Sequence, residues 1–121
     1  MAQDTTLRDV VRVSVSQFAD RPAFSVLHGT TLTYRQIGMG IAGLQRQLSD
    51  TGVSAGDRVA LLSENQPAWP AAYLATTAAG AVVVPILPEF SPAEVAGIVE
   101  HAGASVILLS ERQARRIAEH T

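Results

Sequence analysis

The sequence has no cysteine, and all nine of its basic residues are arginines, so it has no lysine either. The first absence excludes disulfides, thiolate nucleophiles and Cys-ligated metals. The second excludes a phosphate-loop lysine, a Schiff base, and a lysine that steadies a transferring phosphoryl or acyl-phosphate group. Charged residues make up only 17% of the chain, the net charge is -2, and there is no basic run. Nucleic acid and anionic membrane surfaces are therefore not expected as partners. No tract of about 18 apolar residues occurs, and no charged-then-apolar leader, which predicts a soluble, cytoplasmic protein. Aromatic residues are few, at 5%, and Trp69 is the single tryptophan.

What is present is 47% hydrophobic and, at 121 residues, sufficient for one domain. The organising stretch is Asp57 to Pro88. It holds two unbroken apolar runs, Val59-Ala60-Leu61-Leu62 and Ala81-Val82-Val83-Val84, separated by one helix-length segment. Neither run alternates apolar with polar residues, which predicts strands covered on both faces, as in a parallel sheet between helices. Ser105 to Leu109 is a third such strand. The fold class is α/β: a parallel, Rossmann-like sheet with crossover helices on both faces.

Ahead of the sheet, Thr6 to Asp9 opens a first helix reaching about Phe18, with Leu7, Val10, Val11 and Phe18 on one face. Ala23 to Leu27 and Thr31 to Tyr34 are short β-prone runs joined by His28-Gly29-Thr30. They predict a small N-terminal β-hairpin, with glycine taking the positive φ. Thr33 and Gln36 form a capping box for a second helix, whose stripe is Tyr34, Ile37, Ile41, Leu44 and Leu48. After the first buried strand, Ser63-Glu64-Asn65 offers a helix cap. Pro70 predicts an irregular first turn before a helix over Ala71 to Ala79. Ser91-Pro92-Ala93-Glu94 places a cap serine, an N1 proline and an N3 glutamate at the start of another helix, buried through Val95, Ile98, Val99 and Ala102 and stopped by Gly103. A polar helix from about Glu111 ends the chain.

Chemistry-bearing patterns are scarce. Gly38-Met39-Gly40-Ile41-Ala42-Gly43 is a literal G-x-G-x-x-G, with Glu64 21 residues past its last glycine, the place of a ribose-binding acid in a dinucleotide fold. A capping box already starts the helix at Thr33, and the apolar stripe runs in phase through the glycines. They read as small residues at a packing face, against the alternative of a free-standing dinucleotide-binding module. Ser63, Glu64 and Asn65, Pro85 to Glu89, and Ser110 fall past the carboxyl ends of the buried strands, where open α/β sheets place ligands. Ser63 lacks a nucleophile elbow and a nearby histidine. Glu64 and Asn65 read first as helix-capping groups and Trp69 as a packing anchor, against a role for the three in the wall of a substrate pocket. His28, His101 and His120 show no ligand spacing and read as solvated or dipole-compensating groups.

Four further blocks stand in order: Leu32-Thr33-Tyr34-Arg35-Gln36-Ile37, then Gly52-Val53-x-x-Gly56-Asp57-Arg58-Val59-Ala60, then Ala79-Gly80-Ala81-Val82-Val83-Val84-Pro85, then Ser91-Pro92-x-Glu94. With them, roughly Leu7 to Arg112 resembles the N-terminal segment of the AMP-forming acyl-CoA synthetases, the adenylate-forming superfamily. Ser63-Glu64-Asn65-x-Pro67-x-Trp69 is most similar to the long-chain fatty acid branch. The resemblance implies a parent ligase that uses Mg-ATP to convert a fatty acid to an acyl-adenylate and then passes the acyl group to CoA. ATP, Mg and CoA are expected for that full-length enzyme and none for this chain, because the family's phosphate loop, hinge and C-terminal lysine have no counterpart here. Residues 1–121 are expected to form the N-terminal portion of the large domain, inactive alone, with the rest of the ligase chain as partner. Apolar surfaces left bare would favour self-association; a purely structural or interaction domain is the remaining alternative.

Overall fold

The computed structural model describes residues 6–119. Two units follow one another along the chain, a helix-and-hairpin layer and a three-stranded parallel sheet. Helix α1 (Leu7–Gln17) starts at a full capping box: the Thr6 hydroxyl accepts from the Asp9 N–H, and the Asp9 carboxylate accepts from the Thr6 N–H. It has no fully buried residue. Of its expected apolar face only Val11 packs on the core, while Leu7 and Val10 stay about half exposed at 51% and 48%. The α1 face that meets its neighbours is the one carrying Val11 and Val15, one position round from the face expected.

Strands β1 (Pro22–Ser25) and β2 (Thr31–Thr33) form the expected antiparallel hairpin. The positive φ in its turn belongs to His28, at 58°, and not to Gly29. Helix α2 (Tyr34–Asp50) follows at once from its capping box, with Thr33 accepting from the Gln36 N–H and Gln36 from the Thr33 N–H. Ile37, Ile41 and Leu48 of its stripe are buried.

Strand β3 (Arg58–Leu62) is the centre of the sheet. Helix α3 (Ala68–Ala78) carries the chain to β4 (Val82–Ile86), and α4 (Pro92–Ala102) carries it back past β3 to β5 (Val106–Leu109). The order is β4-β3-β5, all parallel. Two right-handed crossovers leaving β4 and β3 in opposite directions put α3 and α4 on opposite faces. Packing agrees: Val59 faces the side of Leu48 and Ala81, whereas Ala60 and Leu62 face Val95, Ile98 and Ile117. Helix α5 (Glu111–Ala118) joins α4 on that second face.

The expectation that every strand is covered holds for β3, where Val59 to Leu62 are buried. It fails for β4, an edge strand whose Val82 remains 48% exposed. Helix α3 also departs from expectation. It begins at Ala68 with Pro67 as a cap that makes no side-chain bond, so Ser63, Glu64 and Asn65 do not cap it. Pro70 sits as its third residue without breaking the helix, because the N–H groups of a first turn have no intrahelical partner to lose. At α4 the serine cap, N1 proline, N3 glutamate and left-handed Gly103 are all found where the sequence puts them. Among the described residues no helix is long and apolar enough to cross a membrane.

Candidate functional site

The carboxyl ends of the three parallel strands are the natural place to look for a ligand site in such a sheet. Here they are tied together by hydrogen bonds. Ser63, 5% exposed at the end of β3, donates from Oγ to the Glu64 carbonyl (2.8 Å) and accepts from Gln66 Nε2 (2.9 Å). Ser110, just past β5, donates from Oγ to Glu64 Oε2 (2.8 Å) while accepting from the Gln113 N–H (3.2 Å) as the N-cap of α5. One hydroxyl thus closes the crevice between β3 and β5 and starts a helix.

The Glu64 carboxyl is held below its ordinary value of 4.5 by a hydrogen bond from its own backbone N–H and then by one from Ser110; burial opposes these, and the positive charge of Arg112 adds the smallest lowering effect. A carboxylate so stabilised is a poor proton acceptor near neutrality and a good structural latch.

Asn65 and Trp69 do come together. With Phe24, Val26, Leu27 and Pro70 they line a hollow of about 340 Å³ between the hairpin and the start of α3. Trp69 stacks on Tyr73 with ring centroids 5.4 Å apart, an i,i+4 pair that the helical spacing could have revealed. Trp69 also lines a second hollow of about 210 Å³, with Leu61, Ser63, Gln66, Leu108 and Ser110. Glu64 lines neither hollow. The proposed trio is therefore split into an aromatic and amide wall on one side and an inter-strand latch on the other.

Residues not singled out from the sequence complete the region. Gln113 is buried at 4% exposure, and its Oε1 accepts from Arg116 Nε (2.9 Å). The Arg116 guanidinium also donates to the carbonyls of Pro88 (3.2 Å) and Phe90 (2.8 Å), pinning the loop after β4. Ser110-x-x-Gln113 is itself a cap-and-N3 pattern that could have marked Gln113; nothing local marks the bonds from Arg116 to the loop, whose carbonyls are 26 and 28 residues away.

The glycine run lies in the interior of α2, and none of its three glycines has a positive φ. A Cβ on Gly38 would come within 2.7 Å of Val15 Cγ1, so this glycine lets α1 approach α2. Around Gly40 and Gly43 nothing lies within 4 Å of such a Cβ. Mid-helix N–H groups are committed to the helix and cannot cradle a pyrophosphate. His28 occupies the hairpin turn and His101 the last turn of α4; His120 lies outside the described residues. Among the described residues no three His, Cys, Asp or Glu side chains converge to hold a metal ion.

A family model described as AMP-binding enzyme matches residues 11–121. The chain is 33% identical over 105 residues to a long-chain-fatty-acid–CoA ligase of Escherichia coli, covering 86% of this chain and 18% of that protein. It is 37% identical over 97 residues to a feruloyl-CoA synthase of an Amycolatopsis species, covering 79% and 20%. In fold it resembles the N-terminal domain of FACL13 from Mycobacterium tuberculosis, with a TM-score of 0.85 at 24% identity over 96% of this chain and 30% of that one. The chain spans a fifth or less of the length of the curated relatives it matches.

Proposed function

The chain belongs to the AMP-binding enzyme family, and on that premise we propose that it is the N-terminal scaffold of the large domain of an AMP-forming acid–thiol ligase. The observation that carries this reading is the work done by the four sequence blocks on which the resemblance rests, all of them inside the matched residues 11–121. Thr33 and Gln36 cap α2, and Ser91 and Glu94 cap α4. Gly56 and Gly80, with φ of 86° and 82°, lead into β3 and β4 and are joined by the Gly56 N–H donating to the Gly80 carbonyl at 2.9 Å. Every block builds the sheet and its helix starts; none presents a nucleophile, a base or a phosphate cradle. The absence of lysine points the same way.

In the parent enzyme the reaction is the activation of a carboxylic acid with Mg-ATP and its transfer to CoA, through residues outside this chain. Relatives named for long-chain and for feruloyl substrates stand at similar identity, so we keep the acid at the level of a carboxylate. The long-chain preference rests on the motif at Ser63 to Trp69. In this reading Asn65 and Trp69 form an outer wall of the acyl site, the remainder of the ligase chain is the principal partner, and the location is cytoplasmic.

ATP–pyrophosphate exchange decides the matter. The 121-residue chain should show none with any carboxylic acid, and exchange by it alone overturns the scaffold reading. In the full-length ligase, Trp69→Ala should raise KM for the acid more than it lowers kcat; an unchanged KM removes Trp69 from the acyl wall. The second reading considered from the sequence, a free-standing dinucleotide module, loses its phosphate loop to the interior of α2.

A further inference from the structure

Hydrogen bonds run end to end across the carboxyl ends of the sheet. After β3, Glu64 Oε2 accepts from Ser110 Oγ (2.8 Å), and that oxygen accepts from the Gln113 N–H (3.2 Å). Gln113 Oε1 accepts from Arg116 Nε (2.9 Å), and Arg116 Nη2 donates to the Pro88 and Phe90 carbonyls after β4 (3.2 and 2.8 Å). The turn after β3 and the loop after β4 are thus joined through helix α5.

Helix α5 has eight residues, and a helix so short is not stable by itself in water. It is held by what it touches: its cap oxygen on Glu64, buried Gln113, the Arg116 clamp, and Ile117 against the cluster of Ala60, Leu62, Ile86 and Val95. These groups are in register with their partners only while the helix is wound, so it docks through all of them or through few. Phe90 packs on the same apolar cluster, so the loop is held from two sides, and one of them is α5.

We propose that α5 is a conformational strap: docked, it holds the turn after β3 and the loop after β4 in one arrangement, and when it lets go both open together. It is a two-state element that groups at either end can bias, which is what coupling between separated segments requires. The segments it joins lie past the strand ends, where open α/β sheets place ligands, so docking of α5 decides whether that surface is formed.

The test is native-state amide hydrogen exchange on the 121-residue chain in urea below its unfolding transition. The amides of Ala114, bonded to the Ser110 carbonyl, and of Phe90, bonded to the Leu87 carbonyl, should exchange through one shared opening with the same urea dependence. That opening should precede exchange at Ala75 in the core of α3. Glu64→Ala removes the acceptor at one end and leaves Ser110 free to cap α5. It should speed exchange at Phe90 and Ala114 about tenfold, without a comparable change at Ala75. Gln113→Met cuts the middle of the relay and should do the same. In an Arg116→Met background, Glu64→Ala should leave Phe90 unmoved, because the link is already broken. Exchange that rises around Glu64 and in α5 with Phe90 unchanged overturns the strap. So does a uniform rise that includes Ala75, which is global destabilisation, and so do separate urea dependences for Ala114 and Phe90 in the wild type. The wild-type comparison decides even if a variant fails to fold. ATP–pyrophosphate exchange does not enter, so failure here leaves the ligase reading standing.

Discussion

Three glycines at G-x-G-x-x-G spacing do different things in one helix, and substitution separates them. Gly43→Ala adds a methyl to open space in the interior of α2 and should raise stability by roughly 0.5–1 kcal/mol through helix propensity. Gly38→Ala gains the same propensity but forces a Cβ to within 2.7 Å of Val15. Overpacking of about 1–3 kcal/mol should outweigh the gain and lower the urea midpoint. Equal midpoints for the two variants would show that α1 yields freely. Glu64 makes a second residue-scale prediction. Its folded pKa is depressed, so its contribution is present above the unfolded value near 4.5 and is lost as pH falls through the folded value. The melting temperature of Glu64→Gln should therefore fall less than that of the wild type between pH 5 and pH 2, since Asp9 and Glu94, depressed by their Thr6 and Ser91 partners, continue to titrate in both. Parallel curves would mean that the latch to Ser110 does not survive in solution.

At the scale of elements, local hydrogen bonding decided what sequence could disclose. The caps at Thr33 and Ser91 and the left-handed Gly103 are settled within four residues of themselves, and all three stand where the pattern placed them. The start of α3 was misread because Ser63, Glu64 and Asn65 are good caps whose side chains found better partners: Gln66 for Ser63, and Ser110, 46 residues on, for Glu64. Helix α5 looked like a polar tail because its charged face dominates, yet it docks through buried Gln113 and through Arg116. Arg116→Met keeps the length of the side chain and removes the donors to Pro88 and Phe90. It should cost about 1–3 kcal/mol, as hydrogen bonds to a charged group do, and speed amide exchange in the loop from Leu87 to Ser91 ahead of global unfolding. Exchange confined to the end of α5 would place the clamp's effect elsewhere.

Over the whole molecule, cohesion depends on β3. Val59, Ala60 and Leu62 are fully buried at 0% exposure and Leu61 at 2%, with helices on both sides. Leu62→Ala should therefore cost about 2–5 kcal/mol, a large part of the stability of a domain this size, whereas truncating half-exposed Val82 on β4 to alanine should cost under about 1 kcal/mol. Chemical denaturation of the pair measures the difference; similar losses would mean that the sheet edge is covered in solution. The sequence by itself determined the α/β class, the parallel strands, the helix starts at Thr6, Thr33 and Ser91, and the family, because periodicity and capping are short-range properties. Tertiary structure alone decided that Gly38 is a contact, that Glu64 is a latch, and that Asn65 and Trp69 share a hollow with the hairpin. It also decided that β4 is an edge strand with Pro85 at an outward position. Each of these depends on which distant segments meet, 15 with 38, 64 with 110, 69 with 24, and 57 with 82. Such meetings are set by the packing of whole elements, which no window of neighbouring residues contains.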